Sequence, residues 1–206
     1  MFGLRSVLQY PKAYQAFSRL IGANAGRRRL SEKYIRARDG QSVLDMGCGP
    51  ADILGHLPRV NYLGFDPSER YIAEAKNRWG TRGEFTCGTV SEQALPERHV
   101  DIALAIGVLH HLDDRDAMHL FQVAFKALRP GGRLVTIDGA YVAGQSPITR
   151  YLLSKDRGKF VRTPAEYERL AHGSFSAIES HIVNDLIFPA PYTHLIMDCS
   201  KPKEVI

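Results

Sequence analysis

The stretch that decides the fold is Val43-Leu44-Asp45-Met46-Gly47-Cys48-Gly49-Pro50, within a chain of 206 residues. Its apolar beginning ends at a carboxylate, which predicts a strand buried on both faces, as in a parallel sheet. Gly47 and Gly49 then allow a sharp turn and a close approach to a ligand, where a Cβ would collide. Residues 51–56 are predicted to begin a helix. The stretch therefore predicts a strand, a glycine loop and a helix, with a ligand at the carboxyl end of the strand.

The spacing of the glycines argues against one common kind of nucleotide site. A dinucleotide fingerprint, G-x-G-x-x-G, needs a small third residue for helix–strand packing, whereas Asp52 occupies that position. Asp45, two residues before the first glycine, would repel a pyrophosphate and attract a cation. The loop therefore favours a cationic ligand over a phosphate.

From residue 42 onward, strand and helix patterns alternate. Strands are predicted at residues 42–46, 62–65, 84–87, 100–106, 133–138, 177–183 and 194–199. Helices are predicted from the N-cap Ser68 to about residue 78, from about 114 to 128 before Pro130-Gly131-Gly132, and from 163 to 171. Repeated βα units imply a parallel, doubly wound sheet with right-handed crossovers. The last two strands flank a proline-containing turn, which suits an antiparallel hairpin.

Two segments are predicted to frame this α/β body. Residues 1–40 are expected to form a helical N-terminal cap, and residues 41–206 an α/β domain with a lid inserted at about 140–176. A second short cap helix is expected near residues 28–38, after an interruption at Gly26. The first cap helix is indicated by apolar residues at helical spacing, Tyr10, Tyr14, Phe17 and Ile21.

The net charge of +5 is unevenly distributed along the chain. Residues 1–40 carry a net charge of +7, residues 41–149 carry −3, and residues 150–206 carry +1. Within the last part, residues 150–162 contain five basic side chains against the single acid Asp156. Such a pattern fits either solvated helix faces or segments that hold an anionic substrate or a nucleic-acid backbone.

The three cysteines and the N-terminus indicate a compartment. Cys48, Cys87 and Cys199 are far apart and form no C-x-x-C pair, which favours a reducing compartment and disfavours a zinc site or a disulfide framework. The N-terminus lacks the apolar region of a signal peptide, and no apolar run approaches transmembrane length. We therefore expect a cytoplasmic protein.

A second carboxylate, Asp66, indicates which ligand the glycine loop binds. Asp66 ends the second predicted strand, 21 residues after Asp45, where a carboxylate can accept hydrogen bonds from both hydroxyls of a ribose. With D-x-G-x-G at the first strand, the chain resembles the class I S-adenosylmethionine-dependent methyltransferases. Residues 62–68, 85–90 and 101–111 resemble the second, third and fourth motifs of that family, and residues 128–132 resemble the turn into its fifth strand.

The resemblance implies a fold and a cofactor. The fold would be α/β, a three-layer α/β/α sandwich with a Rossmann-like, mostly parallel seven-stranded sheet and a terminal antiparallel hairpin. The cofactor would be S-adenosyl-L-methionine. Thr89 departs from the family, because an acid is usual at its position. The residues that would bind the cofactor are Asp45, Gly47, Cys48, Gly49, Asp66, Pro67, Gly88, Thr89, Val90 and Ile106.

The motifs after the fourth strand narrow the reaction. That strand does not lead into the Asn/Asp-Pro-Pro-Tyr tetrapeptide of exocyclic-amine methylation, and no Pro-Cys dipeptide places a thiolate there. It also lacks an Asp at its end that would hold Mg²⁺. The pattern resembles metal-independent small-molecule methyltransferases acting on oxygen, nitrogen or carbon.

Two adjacent histidines, His110 and His111, follow the fourth strand where the methyl group is expected. One of them could be a general base, since imidazole titrates near neutrality. The alternative is that His111 packs beneath the substrate or bonds the backbone, with His110 pointing away. Both histidines are therefore candidate catalytic residues.

The basic cap and lid are expected to close over the acceptor, because both lie near the carboxyl edge of the sheet. Their mixture of arginine and aromatic side chains suits an acceptor with an apolar body and an anionic group. The predicted acceptor-binding residues are Tyr14, Tyr151, Arg157 and Arg162.

The sequence thus predicts metal-independent methyl transfer to a small or medium-sized acceptor, which could be anionic, by a monomer or homodimer and without a nucleic-acid partner. Three alternatives remain open. An RNA methyltransferase could use the basic N-terminal cap, a dehydrogenase could share the nucleotide-type site, and a non-catalytic protein could keep the fold. Asp45 and Asp52 argue against the dehydrogenase, and the intact loop argues against loss of the site.

Overall fold

The computed structural model describes residues 23–90, 99–156, 158–184, 186 and 191–203. The first predicted cap helix, with the repeat over residues 10–21, lies outside the described residues.

Seven strands form one sheet in the order β3-β2-β1-β4-β5-β7-β6. All neighbouring strands are parallel except the two pairs that β7 makes with β5 and β6. This confirms the predicted mostly parallel sheet with an antiparallel hairpin at its end. The strands are β1 Ser42–Met46, β2 Asn61–Asp66, β3 Gly83–Cys87, β4 Val100–Ile106, β5 Leu128–Gly139, β6 Ala177–Val183 and β7 His194–Ser200.

Helices cover both faces of the sheet, so the three-layer prediction is confirmed. On one face, Phe121 and Tyr167 are fully buried against the sheet, and on the other Ile35 and Leu54 are. The α-helices are α1 Ala23–Leu30, α2 Glu69–Trp79, α3 Asp114–Ala127, α4 Pro147–Ser154 and α5 Pro164–Ala171. A π-helix, Ser31–Ile35, continues α1, and short 3₁₀ helices occur at Asp52–His56 and Leu109–His111. No helix in the described ranges combines the length and apolarity needed to cross a lipid bilayer.

Side-chain caps fix the starts of α2 and α5. The Ser68 hydroxyl accepts a hydrogen bond from the Tyr71 N–H at 3.4 Å, as predicted for the N-cap of α2. Thr163 and Glu166 form a reciprocal capping box at the start of α5. These caps satisfy backbone N–H groups of the first turns and fix where the two helices begin.

The helix predicted after the glycine loop is shorter than expected. Only the 3₁₀ helix Asp52–His56 forms there, and Leu57 is already extended, with ψ 152°. Pro58 follows, and a residue before proline is disfavoured in the helical conformation. The chain therefore returns quickly to the sheet as β2.

The structure corrects the second cap helix. Gly26 lies inside α1 and does not interrupt a helix. A Cβ at this position would lie 1.9 Å from the carbonyl oxygen of Leu186. The helical segment ends at Ile35, before Arg36 with φ 47°. Glycine here permits close packing of two backbones, which the sequence pattern alone does not reveal.

Two boundaries in the second half also differ from the prediction. Helix α3 ends at Ala127, and β5 begins at Leu128, which pairs with Val100 before a register shift. Helix α4 was not predicted, although Ser146 caps it and Pro147 occupies its first turn. The lid predicted at about 140–176 contains α4 and α5, but its role as a mobile cover stays a prediction.

Candidate functional site

A cavity of about 710 Å³ opens at the carboxyl ends of β1, β2 and β4. In an open α/β sheet, ligands bind at the carboxyl ends of the strands where the strand order reverses. In this sheet the order reverses between β1 and β4. All ten residues predicted to bind the cofactor line this central cavity: Asp45, Gly47, Cys48, Gly49, Asp66, Pro67, Gly88, Thr89, Val90 and Ile106. The structure brings them together, and their contacts with a cofactor stay a prediction.

The glycine loop turns with positive φ angles, 79° at Gly47 and 54° at Gly49. A Cβ on Gly47 would lie 2.6 Å from Cγ2 of Val108, whereas a Cβ on Gly49 would meet no atom within 4 Å. The N–H groups of Gly47 and Cys48 both donate to the carbonyl oxygen of Phe65, at 2.8 and 2.9 Å. Gly47 is thus needed for packing and conformation, and Gly49 leaves open space beside the loop.

Asp66 joins the glycine loop to the N-terminus of α2. Its Oδ2 accepts a hydrogen bond from the Gly49 N–H at 2.9 Å, and its Oδ1 accepts one from the Ser68 N–H at 2.8 Å. Burial raises the pKa of Asp66, and these two bonds oppose the rise. Since each carboxylate oxygen can accept a second hydrogen bond, Asp66 can serve the loop and a ligand hydroxyl together.

Asp45 is buried and only half satisfied. Its Oδ2 accepts a hydrogen bond from the Tyr62 hydroxyl at 2.5 Å, and its Oδ1 has no hydrogen-bond partner among the described residues. Burial raises the pKa of Asp45 to about 7, with Tyr62 opposing and the charge of Asp66 adding to the rise. A buried acceptor without a donor beside a cavity suits a cationic ligand group. The site therefore fits the ammonium-bearing cofactor that the sequence implies.

Cys48 fills space between the loop and β2. It is buried, and a Cβ on Gly64 would lie 2.9 Å from its Sγ. Burial, with the nearby Asp45 and Asp66 charges, raises the pKa of the Cys48 thiol far above its usual range. The thiol therefore stays neutral and packs as a small apolar group.

A second wall of the cavity, on α3, was not predicted from the sequence. This helix was predicted from the periodicity of its buried face, and a different face lines the cavity. The residues on this face have the spacing i, i+3, i+4 and i+7, and they are Asp116, His119, Leu120 and Val123. The signal was present as a second helical stripe with mixed polarity.

Helix α1 supplies a further missed group. Arg27 lines the cavity and pairs with Asp52 at 2.9 Å between Nη2 and Oδ2, and Asp52 also pairs with Arg78. Asp52, which argued against a dinucleotide site, thus anchors the cap helix to the loop after β1.

The two histidines point to different places. His111 is exposed and lines the cavity. His110 is buried, and its ring nitrogens face Asp138 and Asp156 at 2.7 and 3.3 Å. His111 therefore remains the candidate that can reach a ligand, and His110 is held by protein groups.

Of the four predicted acceptor residues, the two that the structure describes do not line the cavity. Tyr14 and Arg157 lie outside the described residues. Tyr151 is exposed on α4 and does not line the cavity. Arg162 is buried, and its guanidinium pairs with Asp114 and donates to three backbone carbonyl oxygens, those of Leu109, Leu112 and Phe160. Its donors are used inside the protein, so this geometry corrects the expectation that Arg162 clamps an anionic acceptor.

The chain is similar to known methyltransferases. Residues 43–132 match a family described as "Methyltransferase domain". The chain is 33% identical over 109 residues to 27-O-demethylrifamycin SV methyltransferase of Amycolatopsis mediterranei, covering 49% of this chain and 39% of that protein. It is 31% identical over 159 residues to ubiquinone biosynthesis O-methyltransferase of Rhodopseudomonas palustris, covering 68% and 60%.

Solved structures show the same fold. Haemonchus contortus phosphoethanolamine N-methyltransferase 2 superposes with a TM-score of 0.68 at 16% identity, covering 87% of this chain and 53% of that one. The chain spans about a third to three fifths of the length of the first curated relatives that it matches.

Proposed function

Because the chain belongs to the class I S-adenosylmethionine-dependent methyltransferases, we propose that it transfers a methyl group from S-adenosyl-L-methionine to a small or medium-sized acceptor. The single observation that carries this proposal is the pair Asp45 and Asp66 at one edge of the cavity, beside the glycine loop. One is a buried carboxylate with a free acceptor, and the other is a carboxylate that organises the loop.

In the proposed complex, Asp66 accepts hydrogen bonds from the ribose hydroxyls and Asp45 stabilises the ammonium group. Gly88, Thr89 and Val90 border the adenine. Thr89 offers a hydroxyl where the family usually has an acid, so its bond to the base is a neutral one. The sulfonium of the cofactor supplies a methyl group that is already activated.

The remaining task of the protein is to orient the acceptor and exclude water. The cavity beyond the loop has apolar walls, including Ile53, Val108 and Leu120. Its polar groups include Arg27, Asp116, His111 and His119. This lining favours an acceptor with an apolar body that presents one polar group. The partner is therefore proposed to be a small molecule and not a nucleic acid, with the acceptor defined by the cavity rather than by the basic lid.

The matched relative from Rhodopseudomonas palustris is named as an O-methyltransferase, which leads us to propose a hydroxyl as the acceptor group. A hydroxyl must lose its proton as the new bond to oxygen forms. His111, at the cavity wall, is the proposed general base, because a neutral imidazole accepts a proton near neutral pH.

A screen of hydroxyl-bearing small molecules with methyl-labelled cofactor tests this function. Once an acceptor is found, His111→Ala is expected to lower turnover by roughly 10²-fold with unchanged cofactor affinity. His172→Ala changes an exposed histidine outside the cavity and serves as the matched control. Near-normal turnover of His111→Ala would remove His111 as the base, and failure to bind the cofactor at all would overturn the proposed function.

A further inference from the structure

His110 bridges two carboxylates that come from different parts of the fold. Its Nδ1 lies 2.7 Å from Oδ1 of Asp138, near the end of β5, and its Nε2 lies 3.3 Å from Oδ1 of Asp156, just after α4. The His110 side chain is 10% exposed, and those of Asp138 and Asp156 are 2% and 22% exposed. The three side chains therefore form a largely buried ionic bridge, which we name the His110 clasp.

Backbone contacts join the same two regions. The His110 N–H donates to Asp138 Oδ1 at 3.1 Å, and the Phe160 N–H donates to the carbonyl oxygen of His110 at 3.0 Å. The Gly158 N–H donates to Asp156 Oδ1 at 2.8 Å. A Cβ on Gly158 would lie 2.0 Å from Cδ2 of His110. The chain around Gly158 therefore packs directly on the His110 ring, where only glycine fits.

The clasp requires a doubly protonated imidazole. A neutral imidazole carries one N–H, so one of the two carboxylates would face a ring lone pair. Burial lowers the pKa of His110, but the hydrogen bonds and charges of Asp138 and Asp156 outweigh burial and raise the pKa to about 9. Burial opposes ionisation of Asp156, yet bonds from His110, Gly158 and Tyr192 hold its pKa well below the usual range.

Asp138 and the groups behind the clasp complete its electrostatics. Burial raises the pKa of Asp138 against the effect of His110, and we favour the ionised carboxylate because its Oδ1 accepts two N–H bonds from His110. His194 on β7 stays neutral, since burial lowers its pKa to about 4. Four other titratable or charged groups lie close to the clasp: Tyr167, Arg162, His111 and Tyr192. The hydroxyl of Tyr192 donates to Asp156.

We propose that His110 is a positioning residue: as an imidazolium between Asp138 and Asp156, it locks the segment after α4 onto the 3₁₀ helix that carries His111. The ring of His111 lies 4.2 Å from that of His110, between centroids, and His111 lines the cavity. The effect on His111 rests on the proposed function, whereas the clasp itself does not.

The sign of the pH dependence follows from the raised pKa. The clasp stabilises the folded protein fully below the unfolded pKa of about 6.5, and this stabilisation is lost as pH rises through about 9. A substitution that removes the imidazolium charge of His110 should abolish the loss of stability between about pH 6.5 and pH 9. A substitution that only pushes the segment after α4 away from His110 should lower the stability at every pH.

Thermal unfolding from pH 6 to pH 10 tests the clasp without any acceptor. His110→Gln, which carries no charge, should lower the melting temperature near pH 7, and its difference from wild type should narrow by several degrees at pH 10. His172→Gln, an exposed histidine outside the clasp, is the control and should show a constant difference. A constant difference for His110→Gln as well would overturn the proposal.

Limited proteolysis tests where the change occurs. Lys155 and Lys159 are exposed on either side of the clasp, so trypsin should cut there on the order of tenfold faster in Asp156→Asn and Gly158→Ala than in wild type. Unchanged cutting in both variants would overturn the lock. Titration of the same samples with S-adenosyl-L-methionine separates the proposed function from the His110 clasp. If the wild type does not bind S-adenosyl-L-methionine, the proposed function fails and the clasp does not.

Discussion

The buried Asp45 carboxyl group, with one oxygen unpartnered among the described residues, should make the affinity for the cofactor depend on pH. Its pKa is raised to about 7, chiefly by burial, so a substantial part of the carboxyl groups is protonated near neutral pH. A cationic ligand favours the ionised form. Binding should therefore release a proton below about pH 7, and affinity should rise with pH until it levels off above that value.

Calorimetry in buffers of different ionisation enthalpy measures this proton release directly. Asp45→Asn keeps the shape and removes the titration, so its binding should be weaker and independent of the buffer. Glu179→Gln, an exposed acid on β6, is the control and should behave as wild type. Buffer-independent heats in the wild type would show that Asp45 does not meet the cation.

At the scale of elements, two glycines allow the free-energy costs of backbone strain and of steric collision to be separated. Gly40 and Gly47 share a φ of 79°, but only at Gly47 would a Cβ collide with a neighbour, Val108. Gly40→Ala should therefore cost about 1 kcal/mol through backbone strain. Gly47→Ala should cost about 2–4 kcal/mol, because strain and overpacking add.

Urea unfolding of the paired variants measures both contributions. In a Val108→Ala background, the cost of Gly47→Ala should fall to that of Gly40→Ala, since the colliding Cγ2 is gone. Equal costs for Gly40→Ala and Gly47→Ala in the native background would contradict the packing role of Val108.

The strands could be predicted well because their patterns are local. Buried parallel strands are continuous apolar runs, and β1 and β4 have the predicted bounds. The antiparallel edge strand β6 also has its predicted bounds. Gly26 was misjudged because its role depends on a distant contact: it lies inside α1 and packs against the backbone of Leu186. Helix α4 has a local signal, the Ser146 cap followed by Pro147, which was not used in the prediction.

At the scale of the whole molecule, the cofactor side of the site could be predicted and the acceptor side could not. Sheet topology brings the ends of β1, β2 and β4 together whatever the loops do, so all ten predicted residues meet at one cavity. The acceptor wall depends on how α1 and α3 pack. Charge along the sequence did not reveal that Arg162 is used by Asp114 and three carbonyl groups.

The Asp66 carboxylate has both a structural and a binding role. It accepts hydrogen bonds from the N–H groups of Gly49 in the glycine loop and Ser68 before α2, and it lines the cavity. Its removal leaves the N–H groups of Gly49 and Ser68 without their acceptor. Asp66→Ala should therefore weaken cofactor binding by about 2 kcal/mol or more and also lower the melting temperature.

Titration of S-adenosyl-L-methionine into the wild type and into Asp66→Ala, with NAD as the competing ligand, tests the central claim most directly. We predict saturable binding of S-adenosyl-L-methionine by the wild type, a loss of at least about 30-fold in affinity in the folded variant, and no binding of NAD. Binding of NAD in place of S-adenosyl-L-methionine, or equal affinity in the two proteins, would contradict the assignment of this cavity.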